Sequence, residues 1–475
     1  MIPLTLGEIA TIVHGTVLDG DPSLQVTGPA FIDSRTPEPG GLFVALAGEH
    51  VDGHDFAAGA VETGAAGVLG SRASGVPTVV VDDTQAALQQ LAGHVLRRLW
   101  ESDPGPKVIA VTGSQGKTTA KDMLARVLAD AGPTVATAGS FNNELGMPLT
   151  VLRADPQTRY LVLEMGARGI GHLAELCEIA PPDISLVLNV GKAHIGEFGS
   201  REAIAVAKGE LVEALSSDGA AVLNADDAMV SAMAERTSAR VWTYGRAGSD
   251  LRLGPVELDD LGRASFDLSH GGVTERIALQ LVGEHQATNA AATAATALAA
   301  GLPLAAVAAS LRTIDRLSPW RMEVHERADG LVVLNDAYNA NPDSMASALE
   351  TLARIGERSG RRTIAVLGEM RELGESAEEE HRAVGALAQR LGIGEVVVVG
   401  HGARAIHESL LGERGGDGTT RHVETVERAG EWLSENVAGH DVVLVKASRA
   451  GRFERVADML LGHGLGTNQG EESGG

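Results

Sequence analysis

Two glycines, a lysine and three hydroxyl side chains crowd into Gly113-Ser114-Gln115-Gly116-Lys117-Thr118-Thr119. A highly charged anion needs that combination. Glycine lets the backbone approach closely, successive N–H groups converge on the anion, and the N-terminus of a following helix adds its dipole. Lys117 is placed to reach the outer phosphates of a nucleotide, and the Thr118 hydroxyl to meet Mg²⁺. The long form of the phosphate loop would carry glycine where Val111 stands, so only the shorter Gly-x-x-Gly-Lys-Thr-Thr form is present. The plainer account is a glycine-rich strand-to-helix turn with an exposed lysine. An apolar run before the loop (Lys107 to Val111) and helical spacing after it (Ala120 to Ala131) favour the nucleotide reading.

Other polar residues close apolar runs in the same way. Glu164 ends Tyr160 to Glu164, where a Mg²⁺ ligand belongs in an open α/β sheet; an exposed strand-end glutamate fits equally. His194 follows the run ending Asn189-Val190-Gly191, and reads as an edge residue of the site or an ordinary loop histidine. Lys208, in Ala207-Lys208-Gly209-Glu210, sits on a helix, where a solvated lysine is the default. Phe141-Asn142-Asn143-Glu144 is turn-forming and suited to touch phosphate or substrate. Asn289 opens an alanine-rich helix, so it is also an N-cap candidate. Asp336 to Ser344, with Asn339 inside it, suggests a binding loop after a strand, or a plain loop with Asp343 or Ser344 capping the next helix. Arg321 is placed to neutralise phosphate from across a cleft, and Lys446-Ala447-Ser448-Arg449 follows the last strand.

The elements that must position these groups divide into three α/β segments. Residues 1–105 read as a small domain with a helix from Leu4 to Val13, strands Gly41 to Leu46 and Val76 to Val81, and a helix Thr84 to Trp100 capped by Thr84; Pro104-Gly105-Pro106 closes it. Residues 106–316 alternate strand and helix, which implies a mostly parallel sheet, with a hairpin region from Asp250 to Leu281. Residues 317–465 repeat the alternation as a Rossmann-like domain. The tail 466–475 is polar and glycine-rich and is expected to be disordered.

Composition narrows the partners. The chain has 475 residues and a formal charge of −24, with 39 basic and 63 acidic residues. Such acidity opposes nucleic acid and anionic membranes, and 3% aromatic residues offer few stacking platforms. One cysteine, Cys177, excludes an internal disulfide and a cysteine metal cluster, which fits a reducing cytoplasm. The N-terminus lacks the pattern of a signal peptide.

Taken together, Asp33-Ser34-Arg35, the stretch Gly48 to Phe56, the Gly113–Thr119 loop, Lys208-Gly209-Glu210, Asp336-Ala337-Tyr338-Asn339-Ala340-Asn341 and Lys446-Ala447-Ser448-Arg449 resemble the Mur ligases, the ATP-dependent amide-forming enzymes of peptidoglycan precursor synthesis. The resemblance runs from about Leu4 to Leu461. Tyr338-Asn339-Ala340-Asn341 and Gly368-Glu369-Met370-Arg371-Glu372-Leu373-Gly374 point to the branch that adds D-alanyl-D-alanine to a UDP-N-acetylmuramoyl-tripeptide; the Asp-Asn-Pro-Arg motif of the diamino-acid-adding branch is missing.

The resemblance implies a division of labour. The first domain would hold the UDP part of the acceptor, with Ser34 and Arg35 near it, and Asn142, Asn143 and Asn339 would contact substrate. Gly113 to Thr119 would hold ATP, with Asn289 on adenine, Arg321 on phosphate and Asp336 on the ribose. Thr118 and Glu164 would hold one Mg²⁺. His194 and Lys208, the latter as a carbamate, would serve a second. Lys117 would act in catalysis through an acyl phosphate, and the protein would be a cytoplasmic monomer. The branch usually has His-Asn where this chain has His285-Gln286, which leaves that adenine contact open. A folylpolyglutamate synthetase would lack the first domain. A P-loop motor or a non-catalytic nucleotide module would have no use for Glu164, His194 and Lys208 around the loop.

Overall fold

The computed structural model describes residues 1–48, 51–102, 104–139, 141–191, 195–412 and 419–462. His194 and the expected tail 466–475 lie outside the described residues. The rest forms three successive α/β units, each built on its own main sheet.

The first unit is a five-stranded sheet ordered Thr16–Leu18, Thr78–Val80, Gly67–Gly70, Leu42–Val44, Ala30–Phe31, parallel except at the Thr16 edge. Its entry helix, Leu6–Ile12, starts with a capping box in which Thr5 and Glu8 satisfy each other's backbone N–H groups. The long helix runs Thr84–Trp100, but its cap is Asp83, whose carboxylate accepts from Ala86 N, and not Thr84. Thr84 is buried in the first turn instead. Leu88, Leu91, Val95 and Leu96 on this helix share one core with Leu161 and Leu163 of the central sheet and with Met147 and Val151. The linker near residue 105 is therefore a covalent boundary and not a packing boundary.

The central sheet has ten strands. Its parallel part is ordered Thr134–Ala136, Tyr160–Glu164, Lys107–Thr112, Ile184–Val187, Ala220–Asn224, Arg240–Gly245, Leu251–Leu253. Lys107–Thr112 is the topological switch point: the chain leaves it to build the sheet on one side and later returns to build the other. Ligands bind at the carboxyl ends of strands beside such a point. The hairpin region consists of Arg263–His270 and Val273–Val282, antiparallel, turning at Gly271-Gly272, both at positive φ. The edge strand Thr134–Ala136 was not anticipated; three half-buried residues carry no alternation.

The third unit is a six-stranded sheet ordered Glu323–Glu326, Val332–Asp336, Asp441–Lys446, Arg362–Leu367, Glu395–Val399, Thr419–Val423, parallel except for the first strand. That first strand is polar and also escaped the sequence reading. No helix among the described residues is long and apolar enough to cross a membrane.

Candidate active site

The loop after Lys107–Thr112 is held from behind. Asn189, beyond the neighbouring strand, accepts from Gln115 N at 3.0 Å and donates to Gln115 O at 3.1 Å. Ser114 Oγ accepts from Gly191 N at 2.8 Å. Gly116 takes φ +79°, and a Cβ there would stand 2.6 Å from Asn289 Oδ1, so two constraints require glycine. The helix Lys117–Ala129 then begins with no side-chain cap. Its first N–H groups are left for an anion. Lys117 curls back to donate to Gly113 O at 2.8 Å. Burial lowers its pKa, and the Glu164 carboxylate opposes that shift.

Glu164 sits beside Val111 in register, at the carboxyl end of its strand. It is 1% exposed, which removes the reading of a solvated glutamate. Oε1 accepts from Asn142 Nδ2 at 2.8 Å. Oε2 is buried without a partner. An orphaned carboxylate oxygen is costly and fits a cation ligand. Among the described residues no three His, Cys, Asp or Glu side chains gather to hold a metal. Mg²⁺ bound mainly through substrate phosphates and water needs no such cage.

Lys208 is also buried, on the helix Arg201–Glu213, so it is not a solvated lysine. Desolvation, with the Lys117 charge adding to it, lowers its pKa well below the ordinary value. Its neighbours explain the local motif. Gly209 packs against the Arg236 guanidinium, which leaves no room for a Cβ. Glu210 accepts from Gly171, Leu173 and Ala174 N at 2.6, 3.1 and 3.2 Å, and so caps the helix His172–Ile179. Lys208-Gly209-Glu210 thus joins one candidate chemical group to two structural ones.

The third unit closes on this edge. Arg321 Nη2 donates to Thr118 Oγ1 at 2.9 Å, and its guanidinium lies 4.1 Å from the Tyr338 ring centroid. Arg321 Nε is buried with no partner, a donor suited to phosphate. Asp336 and Lys446 are register partners on adjacent strands and pair at 2.6 Å; Lys446 also donates to Asn339 O at 2.8 Å. Asn289 does not open its helix, which begins at His285. It is buried and donates to Gln286 Oε1 at 3.0 Å, so Gln286 orients Asn289. The cap of the helix Pro342–Ser359 is Asn341, in a capping box with Ser344, and not Asp343 or Ser344. Asn143 Oδ1 accepts from Gly146 N at 2.9 Å and shapes the turn beside Asn142.

Asn189 and Glu372 went unnoticed as candidates. Glu372 stands at φ +63° in the third unit, close enough for its carboxylate to raise the Lys117 pKa. A polar residue just after an apolar strand was the available signal for Asn189. Glu372 lies in the Gly368–Gly374 motif, but that motif did not single out its carboxylate, and its positive φ belongs to the tertiary structure. Ser34 and Arg35 belong to the first unit, between its strands Ala30–Phe31 and Leu42–Val44. Arg35 is exposed and pairs with Asp33 at 2.8 Å, and Ser34 is half-buried in the turn between them.

Comparison with known proteins covers most of the chain. The model of the Mur ligase middle domain matches residues 111–297, that of the Mur ligase, glutamate ligase domain residues 320–449, and that of the Mur ligase family, catalytic domain residues 31–96. The chain is 46% identical to the UDP-N-acetylmuramoyl-tripeptide–D-alanyl-D-alanine ligase of Mycobacterium tuberculosis, across 97% of this chain and 98% of that one. It is 35% identical to the ligase of that name from Escherichia coli, across 98% and 100%. A crystal structure of MurF from Acinetobacter baumannii matches with a TM-score of 0.85 at 30% identity, covering 97% and 99%. MurF from Thermotoga maritima in complex with ADP matches with a TM-score of 0.78 at 30% identity, covering 92% and 98%.

Proposed function

The chain belongs to the Mur ligase family, and from that premise we propose that it joins D-alanyl-D-alanine to UDP-N-acetylmuramoyl-tripeptide at the expense of ATP, releasing ADP and phosphate. One observation carries the reading: Arg321 of the third unit reaches Thr118 at the start of the loop helix, beside Lys117, whose charge interacts with Glu164, Arg321 and the buried Lys208.

The chemistry follows from charge. A carboxylate resists attack by an amine at neutral pH. Transfer of the ATP γ-phosphoryl to it gives an acyl phosphate, which the amine of D-alanyl-D-alanine attacks as phosphate leaves. Lys117 and the uncapped N–H groups of its helix stabilise charge on the transferred phosphoryl. Arg321 adds a cation from the third unit, so that closure of the two units completes the site and keeps water from the acyl phosphate. Asp336 and Asn289 position the nucleoside, Asn142, Asn143 and Asn339 the reacting substrates, and Ser34 and Arg35 the UDP end of the acceptor.

Glu164 and Thr118 would hold Mg²⁺, and His194 with Lys208 a second ion; bound there, these cations neutralise phosphate charge. Oε2 of Glu164 supplies the unsatisfied oxygen such an ion needs. Lys208 fits as a carbamate because burial and the Lys117 charge disfavour its ammonium and so favour the neutral amine, the form that reacts with CO₂. The carbamate would turn a charge that repels Mg²⁺ into an oxygen ligand. We place the enzyme in the cytoplasm as a monomer working on soluble substrates. The test is ADP release by the purified protein with ATP, Mg²⁺ and UDP-linked tripeptide, with each candidate amine in turn. Release that requires both acceptor and D-alanyl-D-alanine supports the reading; release with neither identifies a motor-type ATPase.

A further inference from the structure

One face of the phosphate-loop helix carries a second lysine that the chemistry above does not use. Lys121 lies one turn after Lys117 and is 2% exposed, among the largest fully buried side chains of the molecule. Its Nζ donates to Thr137 O at 2.7 Å, reaches Gly139 O at 3.4 Å, and pairs with Asp122 Oδ1 at 2.5 Å. A buried ammonium is tolerated only with such partners. The partners lead in two directions.

On one side is Thr137. Its Oγ1 accepts from Glu164 N at 3.0 Å, and its own N–H donates to Val162 O at 3.0 Å. Two residues past Gly139 the chain reaches Phe141 and then Asn142, whose amide holds Glu164 Oε1 and whose carbonyl accepts from Gly166 N at 2.8 Å. Lys121 therefore fixes the segment that orients the Glu164 carboxylate from both its backbone and its side chain. On the other side is Asp122. Its Oδ2 accepts from Ser318 N at 2.9 Å. Ser318 lies on the connection between the second and third units, three residues before Arg321. Thr118 and Asp122 are four residues apart and share a helix face, so Arg321 and Ser318 rest on consecutive turns of the same helix.

We infer that Lys121 and Asp122 are a positioning pair that ties the Glu164 carboxylate to the connection carrying Arg321. Neither residue touches substrate. Lys121 sets the cation-binding carboxylate and Asp122 sets the arginine, each through its own hydrogen bonds, while their ion pair lets both charges stay buried on one helix. The inference rests on the proposed roles of Glu164 and Arg321.

The test measures binding of a non-hydrolysable ATP analogue by calorimetry across a Mg²⁺ titration, alongside turnover. Lys121→Met should raise the half-saturating Mg²⁺ concentration about tenfold or more, as loss of a group orienting a metal ligand does. Thr137→Val, which keeps shape and removes only the hydroxyl, should shift Mg²⁺ dependence in the same direction without altering analogue affinity at saturating Mg²⁺. Asp122→Ala should do the reverse, weakening the analogue at saturating Mg²⁺ while moving the half-saturating Mg²⁺ concentration little. The acceptor's KM should stay unchanged in all three. If Lys121→Met fails to fold, Thr137→Val and Asp122→Ala decide the matter alone. Identical profiles for these two, or no change in either, overturn the inference. Glu164→Gln and Arg321→Met run in parallel: if they leave Mg²⁺ dependence and analogue affinity untouched, the proposed site itself is wrong. If they respond and the Thr137 and Asp122 variants do not, only the positioning role falls.

Discussion

At the seam of the second and third units, Lys208 is buried without an ion pair among the described residues, Lys117 is half-buried, and Glu164 keeps one carboxylate oxygen unanswered. At the Asp33–Arg35 turn of the first unit, by contrast, the arginine is exposed and meets its partner carboxylate through two nitrogens. The seam buries charged groups and leaves part of their bonding capacity, such as Glu164 Oε2, unspent. At the turn, Arg35 and Asp33 share a two-nitrogen ion pair. Electrostatic catalysis needs the first arrangement, because a charge in low dielectric acts strongly on a developing one. Holding the far end of a long substrate needs only the second.

The contrast would break first at Lys117. Lys117→Ala should lower ADP formation by about a thousandfold or more, beyond the loss of a single neutral donor, while the far-ultraviolet circular dichroism stays unchanged. Near-normal turnover in a folded variant would remove the nucleotide site from this loop.

Lys208 should come next. Lys208→Ala should lose about a hundredfold in turnover, within the range for disturbed metal ligation, and acetate should restore part of it by standing in for the carbamate. A fully active variant would return Lys208 to the core. The same residue makes a stability prediction with a definite sign. Its folded pKa lies well below 10.5, so in CO₂-free buffer the unfolded chain binds more protons there than the native one between those two values. Stability then rises with pH across that window. Lys208→Met should raise the thermal midpoint by a few degrees at pH 7, and this gain should fade as pH approaches the unfolded value. A gain independent of pH would mean that packing, and not charge, sets it.

Much of this was legible beforehand where periodicity and turn chemistry agreed. Tyr160–Glu164 and Glu395–Val399 have the expected bounds because each is a four-residue apolar run with a glutamate at one end. The turn from strand to helix at Gly113–Thr119 was legible from its glycines: Gly116 takes φ +79° and the helix begins at Lys117. Three things did not show. Short polar or half-buried strands, Thr134–Ala136 and Glu323–Glu326, owe their form to the neighbour they pair with. Caps slipped by one to three residues, to Asp83 and Asn341, because adjacent polar residues compete for one N-terminus. The buried Lys121–Asp122 pair reads in the sequence as two ordinary charges on a helix; only the packing of the third unit's connection against that face reveals it.

The smallest effect is expected in the first unit, and it sharpens the contrast most directly. Ser34 is half-buried and Arg35 exposed, in a turn closed by Asp33, which accepts from Arg35 N at 3.0 Å. Ser34→Leu places bulk there without disturbing a core, so the thermal midpoint should barely move. The acceptor's KM should rise about tenfold while the KM for ATP and kcat remain near their starting values, the signature of lost uniform binding. Arg35→Ala removes an exposed ion pair worth no more than about 1 kcal/mol to stability. A rise in the acceptor's KM with the KM for ATP unchanged would support contact between Arg35 and the UDP end of the acceptor. A parallel rise in both KM values would mean that the turn communicates with the phosphate loop through the core shared by the helix Thr84–Trp100 and the central sheet. The first unit would then be part of the catalytic machinery, and the separation between a unit that binds and a seam that reacts would fail.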